Sequence, residues 1–295
     1  MDITCCTLCP RKCKADRTVS AGYCGGGAHV RVARAALHDW EEPCISGAKG
    51  SGTVFFSGCC LKCCFCQNYP VSVGNFGREI PVSRLAEIFL ELQEKGAHNI
   101  NLVSAAHYVP WVLEALETVK DRLHIPVVYN SGGYERVETL KMLEGAVDIY
   151  LPDLKYIDKV KSKTYSQAED YFEIASQAVL EMHRQAPKLV FDENGLLKKG
   201  LIIRHLVMPG GKEDSIAVMQ WIAAHFPADS ILVSCMSQYT PCYRSVEHPE
   251  INRRVYTLEY RRVLEVIDEL DLHGYMQEKS SAKKEYTPDF DLTGI

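Results

Sequence analysis

The chain has no run of about eighteen apolar residues, the length that a membrane-spanning helix requires. Its start, Met-Asp-Ile-Thr-Cys-Cys, lacks the basic stretch and the apolar run of a secretion signal. Neither sign of charge dominates: 33 Lys and Arg stand against 38 Asp and Glu, for a net charge of −5. That balance excludes a general nucleic-acid footprint. Cysteine is nearly absent from most of the chain. Only Cys235 and Cys242 lie beyond position 66, and both read as core thiols. The other 11 of the 13 cysteines crowd into the first 66 residues. A disulfide-stapled secreted domain would be shorter and would carry an export signal. The pattern therefore points to a reducing cytoplasm and to metal-bound thiolates. With 295 residues, 46% hydrophobic and 24% charged, the chain is otherwise an ordinary globular sequence with length for a large core.

The densest chemistry lies in Gly52-Thr-Val-Phe-Phe-Ser-Gly-Cys-Cys-Leu-Lys-Cys-Cys-Phe-Cys-Gln-Asn68. Thr53 to Ser57 is β-branched and aromatic and reads as a strand, which Gly58 turns into a loop. Cys59, Cys63 and Cys66 have the spacing C-x3-C-x2-C. Such short intervals cannot span more than about 14 Å, so three sulfurs can converge. Thiolates suit iron–sulfur clusters or zinc. A structural zinc wants four ligands, and this loop offers three at regular spacing. A [4Fe–4S] cube held by three cysteines keeps one iron free for chemistry. Cys60 and Cys64 would let a zinc knuckle be drawn through other members, but they read as small apolar fillers facing away.

A second group precedes it: Cys6, Cys9 and Cys13, then Cys24 before Gly25-Gly26-Gly27. Pro10, Gly22 and the glycine run argue for a small loop-built unit, which needs a staple. We read a second metal centre here, a [4Fe–4S] cluster ahead of a zinc or mononuclear iron site, with free thiols as the alternative. Cys5 is an alternative to Cys6, and Cys44 a further ligand.

Beyond the cysteines, strand and helix patterns alternate. Strands are expected at 99–103, 126–129, 146–151, 201–207 and 231–236. Helices are expected around Leu85–Leu92, Trp111–Val119, Arg136–Leu143, Tyr171–Met182, Ser215–His225 and Val263–Leu270. Ala33 to Leu37 reads as a short helix, and residues 188–199 as a β-hairpin. Glu41 and Glu42 read as a solvated pair. The tail from Leu272, including Tyr286-Thr-Pro-Asp-Phe290, reads as a strap over the main body. Alternation of this kind implies a parallel sheet. The division expected is a Cys-rich cap and connector over 1–49, an α/β barrel over 50–243, and a C-terminal helix and tail over 244–295.

In parallel α/β folds the site forms at the C-terminal ends of the strands. Those ends carry Ser104-Ala-Ala-His107, Asn130-Ser-Gly-Gly133, Asp153-Leu-Lys155, Arg204-His-Leu206 and Ser237-Gln-Tyr239. Strand alternation puts Asp153 and Lys155 on one face. An inward Arg204 needs an anion, and its fork suits a carboxylate; His205 then points the other way and reads as structural. Gly132 and Gly133 permit a close approach of backbone to ligand, or a plain turn. Ser104 and His107 read as ligand contacts, with a satisfied loop histidine as the alternative. Gln238 and Tyr239 read as the far wall of a pocket.

The cysteine motif, with Phe65 before its last cysteine, resembles the signature of the radical S-adenosylmethionine (radical SAM) superfamily. Gly58 and Gln67-Asn68, together with Asp153-Leu-Lys155, resemble the branch around pyruvate formate-lyase activating enzymes, more narrowly its PflX-like group. The resemblance implies an open, partial (β/α)6 barrel with a Cys-rich N-terminal cap and a C-terminal extension. It implies a [4Fe–4S] cluster on Cys59, Cys63 and Cys66 that cleaves SAM reductively, giving a 5′-deoxyadenosyl radical. SAM contacts are implied at Phe65, Asn68, Ser104, His107, Asn130, Asp153, Lys155 and Gln238, with Arg204 clamping the SAM carboxylate. Many superfamily members carry Gly-Gly-Glu where this chain has Ser104-Ala-Ala, so one usual SAM contact is missing. The implied partners are a reductant such as flavodoxin or ferredoxin and a glycyl-radical enzyme as substrate, with no nucleic acid and no membrane. Two other readings stand beside this: radical modification of another peptide or small molecule, and a non-catalytic iron–sulfur electron-transfer protein.

Overall fold

The computed structural model describes residues 3–277 and 288–295. After a loop-built cap come β1 (Val30–His38), the one-turn helix α1 (Pro43–Ser46) and β2 (Ser51–Phe56). The cysteine loop leads into α2 (Tyr69–Ser72) and β3 (Arg78–Ile80). Next follow α3 (Val82–Glu94), β4 (Ile100–Val103), α4 (Val109–Val119), β5 (Val127–Ser131), α5 (Val137–Met142) and β6 (Ile149–Pro152). The remainder is α6 (Lys159–Ser166), α7 (Tyr171–Gln185), β7 (Val190–Phe191), β8 (Leu197–Leu206), α8 (Lys212–His225), β9 (Leu232–Met236), α9 (Thr257–Glu269) and β10 (Gly274–Met276).

One sheet runs β10-β9-β8-β6-β5-β4-β2-β1-β3. From β2 to β10 its neighbours are parallel. At one end β1 pairs antiparallel with β2 and with β3, and β7 pairs antiparallel with β8 beside the main path. The central strands pack on both faces and read as near-continuous apolar runs, as parallel strands must. Helices cover the outside. In α3, Leu85, Ile88, Phe89 and Leu92 are each at most 1% exposed, and burying each contributes about 1.5–3 kcal/mol. Six strand–helix units are as expected, and β7 with β8 forms the expected hairpin.

Two expectations are corrected. Residues 33–37 are strand, not helix. Their alanines favour helix intrinsically, but the segment pairs residue by residue with β2 from Arg34↔Phe55 to His38↔Ser51, and tertiary pairing overrides propensity. The Glu41–Glu42 pair is buried, not solvated: Glu42 is 7% exposed and the Glu41 side chain 9%.

That burial follows from how the connector runs. α1 is threaded into the concave side of the sheet. Cys44 and Ile45 pack there with Val128, Ile149, Leu151, Leu197 and Ile202 in a small apolar cluster. This plug closes the N-terminal end of the barrel and places Glu41 and Glu42 above it. Cys44 is thereby taken away from the N-terminal cysteines, and its thiol meets Tyr275.

The cap docks on the other side. Arg17, 1% exposed, donates to the carbonyl oxygens of Gly27 and His107 and lies over the rings of Tyr108 and Trp111. Arg11 donates to the Cys60 carbonyl and sits between the rings of Tyr23 and Tyr134. At the C-terminus, Leu292 and Thr293 bond β1 at Ala33 and Ala35, and Phe290 packs on Phe55 at 5.4 Å. The expected strap is present in that part, whereas Tyr286 and Thr287 lie outside the described residues.

Candidate functional site

β2 delivers the cysteine loop to the C-terminal edge of the sheet. Gly58 makes the turn with φ +89°, and a side chain there would run into the Cys24 carbonyl. The loop is held from four sides. Gly58 N–H donates to Val71, Cys59 N–H to Cys24, and Cys64 N–H to Tyr165, while Arg244 N–H donates to the Cys64 carbonyl. Cys242 adds a bond from its thiol to the Phe65 carbonyl at 3.2 Å.

Cys59, Cys63 and Cys66 each have a donor or hydroxyl beside the sulfur. Leu61 N–H lies 3.4 Å from the Cys59 Sγ, the Ser166 hydroxyl 3.0 Å from the Cys63 Sγ, and the Ser72 hydroxyl 3.2 Å from the Cys66 Sγ. The Cys60 thiol, hydrogen-bonded to Cys59, brings the Cys59 thiol down to about 7, despite burial. Burial, then the neighbouring Cys63, pushes Cys66 up to about 12. The three thiols thus lie within one another's fields and compete for charge, which a positive metal framework would relieve. Among the described residues, no three His, Cys, Asp or Glu side chains close tightly enough to share one metal ion.

Cys60 does not face away as expected. It is buried, and its thiol bonds both Cys59 and Cys9, joining the cysteine loop to the N-terminal group. Within that group the Cys13 and Cys24 sulfurs stand on the same side of Gly22, where a Cβ would lie 3.4 and 3.7 Å from them. Gly26 N–H donates to the Cys24 Sγ at 3.4 Å. Cys6 and Cys9 are buried nearby, and their charge acts on Cys24. Cys5 is exposed.

Facing the cysteine loop is a pocket in two connected parts. One is lined by Cys63, Phe65, Cys66, Asp153, Lys155 and Gln238, the other by Glu41, Asn130, Asp153, Lys155, Arg204 and Gln238, with Asn68 shared by both. Alternation along β8 and β9 turns Arg204 and Ser234 inward at paired positions. Arg204 Nε donates to Asp153 at 3.0 Å, Nη1 to Glu41 at 3.2 Å and Nη2 to Asn130 Oδ1 at 2.6 Å. Lys155 pairs with the other Asp153 oxygen. Burial alone would raise the Asp153 carboxyl, but Lys155 and Arg204 together hold it below its ordinary value. The fork expected to grip a ligand carboxylate is therefore already turned toward carboxylates of the chain itself.

Several expected residues lie elsewhere. His107 is 1% exposed and bonds the Ser57 carbonyl at 2.8 Å behind the loop. Burial holds it near 4, so it is neutral and fastens the cap to β2. Ser104 ends β4 with φ 61° and is not part of the pocket wall. Gly133 approaches the Asp153 carbonyl and the Tyr171 hydroxyl, so its freedom serves chain packing and not a ligand. His205 points away from the pocket to Leu154 and Ser215, as expected. Residues not expected in the wall include Trp40, Glu41, Gln67 and Met236. For Glu41 the only sequence signal was two acids beside Trp40 and Pro43, with no period to set their direction.

An open parallel α/β barrel, with a three-thiol loop facing an Asp–Lys–Arg pocket at its C-terminal edge, defines a class of protein built for a thiolate-held metal centre. The Radical SAM superfamily profile matches residues 53–222, and the chain belongs to that superfamily. It is 31% identical over 280 residues to Uncharacterized protein MJ0674 of Methanocaldococcus jannaschii, covering 90% of this chain and 75% of that one. The fold is similar to methylornithine synthase (PylB), with TM-score 0.50 and 16% identity over 73% of this chain and 63% of that one. A further similar structure is the FeFe-hydrogenase maturase HydG from Carboxydothermus hydrogenoformans, with TM-score 0.48 and 12% identity over 77% of this chain and 53% of that one. The chain thus spans less than two thirds of either solved protein's length. The profile establishes the superfamily and not its activating-enzyme branch. Membership implies a [4Fe–4S] cluster and SAM. Among the described residues, no helix is long and apolar enough to cross a membrane.

Proposed function

We propose that this is a radical SAM enzyme whose cluster is held by Cys59, Cys63 and Cys66 and whose SAM lies in the pocket between that loop and Asp153, Lys155 and Arg204. The carrying observation is the juxtaposition itself: three mutually perturbing thiols face a buried set of charges across a shared pocket. When bound, cluster and SAM supply one-electron cleavage of the sulfonium and a 5′-deoxyadenosyl radical that removes a hydrogen atom from the substrate. The chain's own residues bind, orient and enclose. Phe65, 5.8 Å from the Tyr239 ring, closes one wall against water. Asn68 and Gln238 offer amide groups to both parts of the pocket. Lys155 and Arg204 fix Asp153, and Asn130 is fixed by Arg204 and Glu41. An electron-transfer protein would need no such pocket of paired charges. The test is anaerobic reconstitution, reduction and addition of SAM: 5′-deoxyadenosine is expected, and its absence from iron-loaded protein would refute the reading.

We favour a peptide glycine on a partner enzyme as the substrate, because Asp153 and Lys155 line the pocket, as the likeness of Asp153-Leu-Lys155 to activating enzymes implies. Mixing with a glycyl-radical enzyme should then give a glycyl EPR doublet; another peptide or small molecule would be indicated if 5′-deoxyadenosine forms without one. A flavodoxin or ferredoxin would supply the electron. For the N-terminal group we propose a second [4Fe–4S] centre on Cys6, Cys9, Cys13 and Cys24, supported by the shared space over Gly22.

A further inference from the structure

Cys60 stands between two groups of sulfur atoms. It follows a cluster ligand, Cys59, yet lies outside the C-x3-C-x2-C motif and has no part in the reading above. It is buried, and its thiol meets three acceptors: the Cys59 sulfur, the Cys9 sulfur and, at 3.6 Å, the Tyr134 carbonyl. A thiol has one proton to donate, so the three share it. Arg11 fixes this arrangement from both sides. Its backbone N–H bonds the Cys9 sulfur, and its Nε donates to the Cys60 carbonyl at 2.9 Å. Its guanidinium lies 4.7 Å from the centre of the Tyr23 ring and 5.2 Å from that of Tyr134. One arginine thus sets the N-terminal group against the cysteine loop, with the Cys60 thiol at the join. Cys59 has a further donor in Leu61 N–H, and Cys9 has one in Lys12 N–H. Cys60 is the donor that the two sulfurs have in common.

A hydrogen bond to a cluster thiolate raises the reduction potential, because the reduced state is the more negative and gains more from the donor. A proton divided with a second sulfur gives less of this effect, and the share depends on the charge that the second sulfur carries. We propose that Cys60 ties the reduction potential of the SAM-binding cluster to the state of the N-terminal cysteine group, through one thiol proton divided between the Cys59 and Cys9 sulfurs. Cys60 acts through Cys59 and is a positioning residue. The electron that cleaves SAM is then supplied at a potential that the N-terminal group helps to set. This inference rests on the radical SAM reading above, but not on a metal in the N-terminal group.

The test is a potentiometric titration of the anaerobic, iron-loaded full chain, followed by the EPR signal of the reduced cluster that responds to SAM. A thiol is a weak donor, so Cys60→Ala should lower the one-electron equilibrium about threefold, or about 28 mV in midpoint. Cys60→Ser keeps a donor and should restore the midpoint to the wild-type value or above. Cys64→Ala, in the same loop, should leave it unmoved. Cys9→Ala should raise it, since the proton returns to Cys59, and should raise it clearly less in the Cys60→Ala background. An unchanged midpoint in Cys60→Ala, an equal fall in Cys64→Ala, or a Cys9→Ala shift of the same size in both backgrounds would overturn the inference alone. Should Cys60→Ala not load iron, Cys60→Val is titrated in its place; if neither loads, Cys60 serves cluster assembly and the inference falls. Iron-loaded, reduced wild type with no SAM-responsive signal would overturn the radical SAM reading itself.

Discussion

At the scale of single residues, Arg204 organises the pocket. It satisfies Asp153, Glu41 and Asn130 at once. Removing one member of a buried charge set leaves the others uncompensated, which costs about 3–5 kcal/mol. Arg204→Ala should therefore lower the unfolding free energy by about that amount in denaturant titrations, besides weakening SAM. A change below about 1 kcal/mol would mean that water replaces the guanidinium at little cost. The same scale shows what a sequence can convey. Asp153, Lys155 and Arg204 were legible because strand alternation dictates which side chains face inward. Glu41 and Glu42 were not, because they lie in a connector without period and are buried by strands far along the chain. His107 was misplaced for a related reason: the loop after β4 turns it back toward Ser57, a direction set by the cap.

At the scale of elements, the plug α1 is the least expected feature. Ile45 is fully buried among residues of β5, β6 and β8. Ile45→Ala should cost about 2–5 kcal/mol, read as a lower denaturation midpoint. The start of α9 offers a separate check. Glu259 accepts from Tyr256 N–H and Gly210 N–H and pairs with Arg253. The Arg253 hydrogen bond, against modest burial, brings its carboxyl from 4.5 to about 2. A depressed carboxyl stabilises the fold above its unfolded value and ceases to do so as pH falls through the folded one. Glu259→Gln should therefore lose about 1 kcal/mol near pH 7, and the difference from wild type should vanish between pH 4.5 and about 2. A difference that persisted at the acid end would assign the effect to shape and not to charge. Long amphipathic helices such as α3 and α7 were readable from period alone. β1 was not, since alanine-rich sequence favours helix until a neighbouring strand claims it.

At the scale of the whole molecule, the cap, the barrel and the C-terminal strap meet around one edge. Arg11 and Arg17 fix the cap, Cys60 joins its thiols to the cysteine loop, and Phe290 packs on β2. The order of strands was readable as alternation, but how the flanking segments fold back was not, because those contacts join distant parts of the chain. If the cap holds its own cluster, Cys13→Ser with Cys24→Ser should remove about four irons per chain and leave the SAM-responsive cluster in place. Unchanged iron would assign these thiols to packing. The central claim is that a cluster on Cys59, Cys63 and Cys66 keeps an iron open to SAM. Electron–nuclear double resonance on the reduced protein, with SAM labelled by nitrogen-15 at its amino group, tests it most directly. A nitrogen-15 coupling to the cluster in wild type that is lost in Cys63→Ala is the predicted result. An iron-loaded, reduced wild type with no such coupling, or one whose coupling survives in Cys63→Ala, would contradict it.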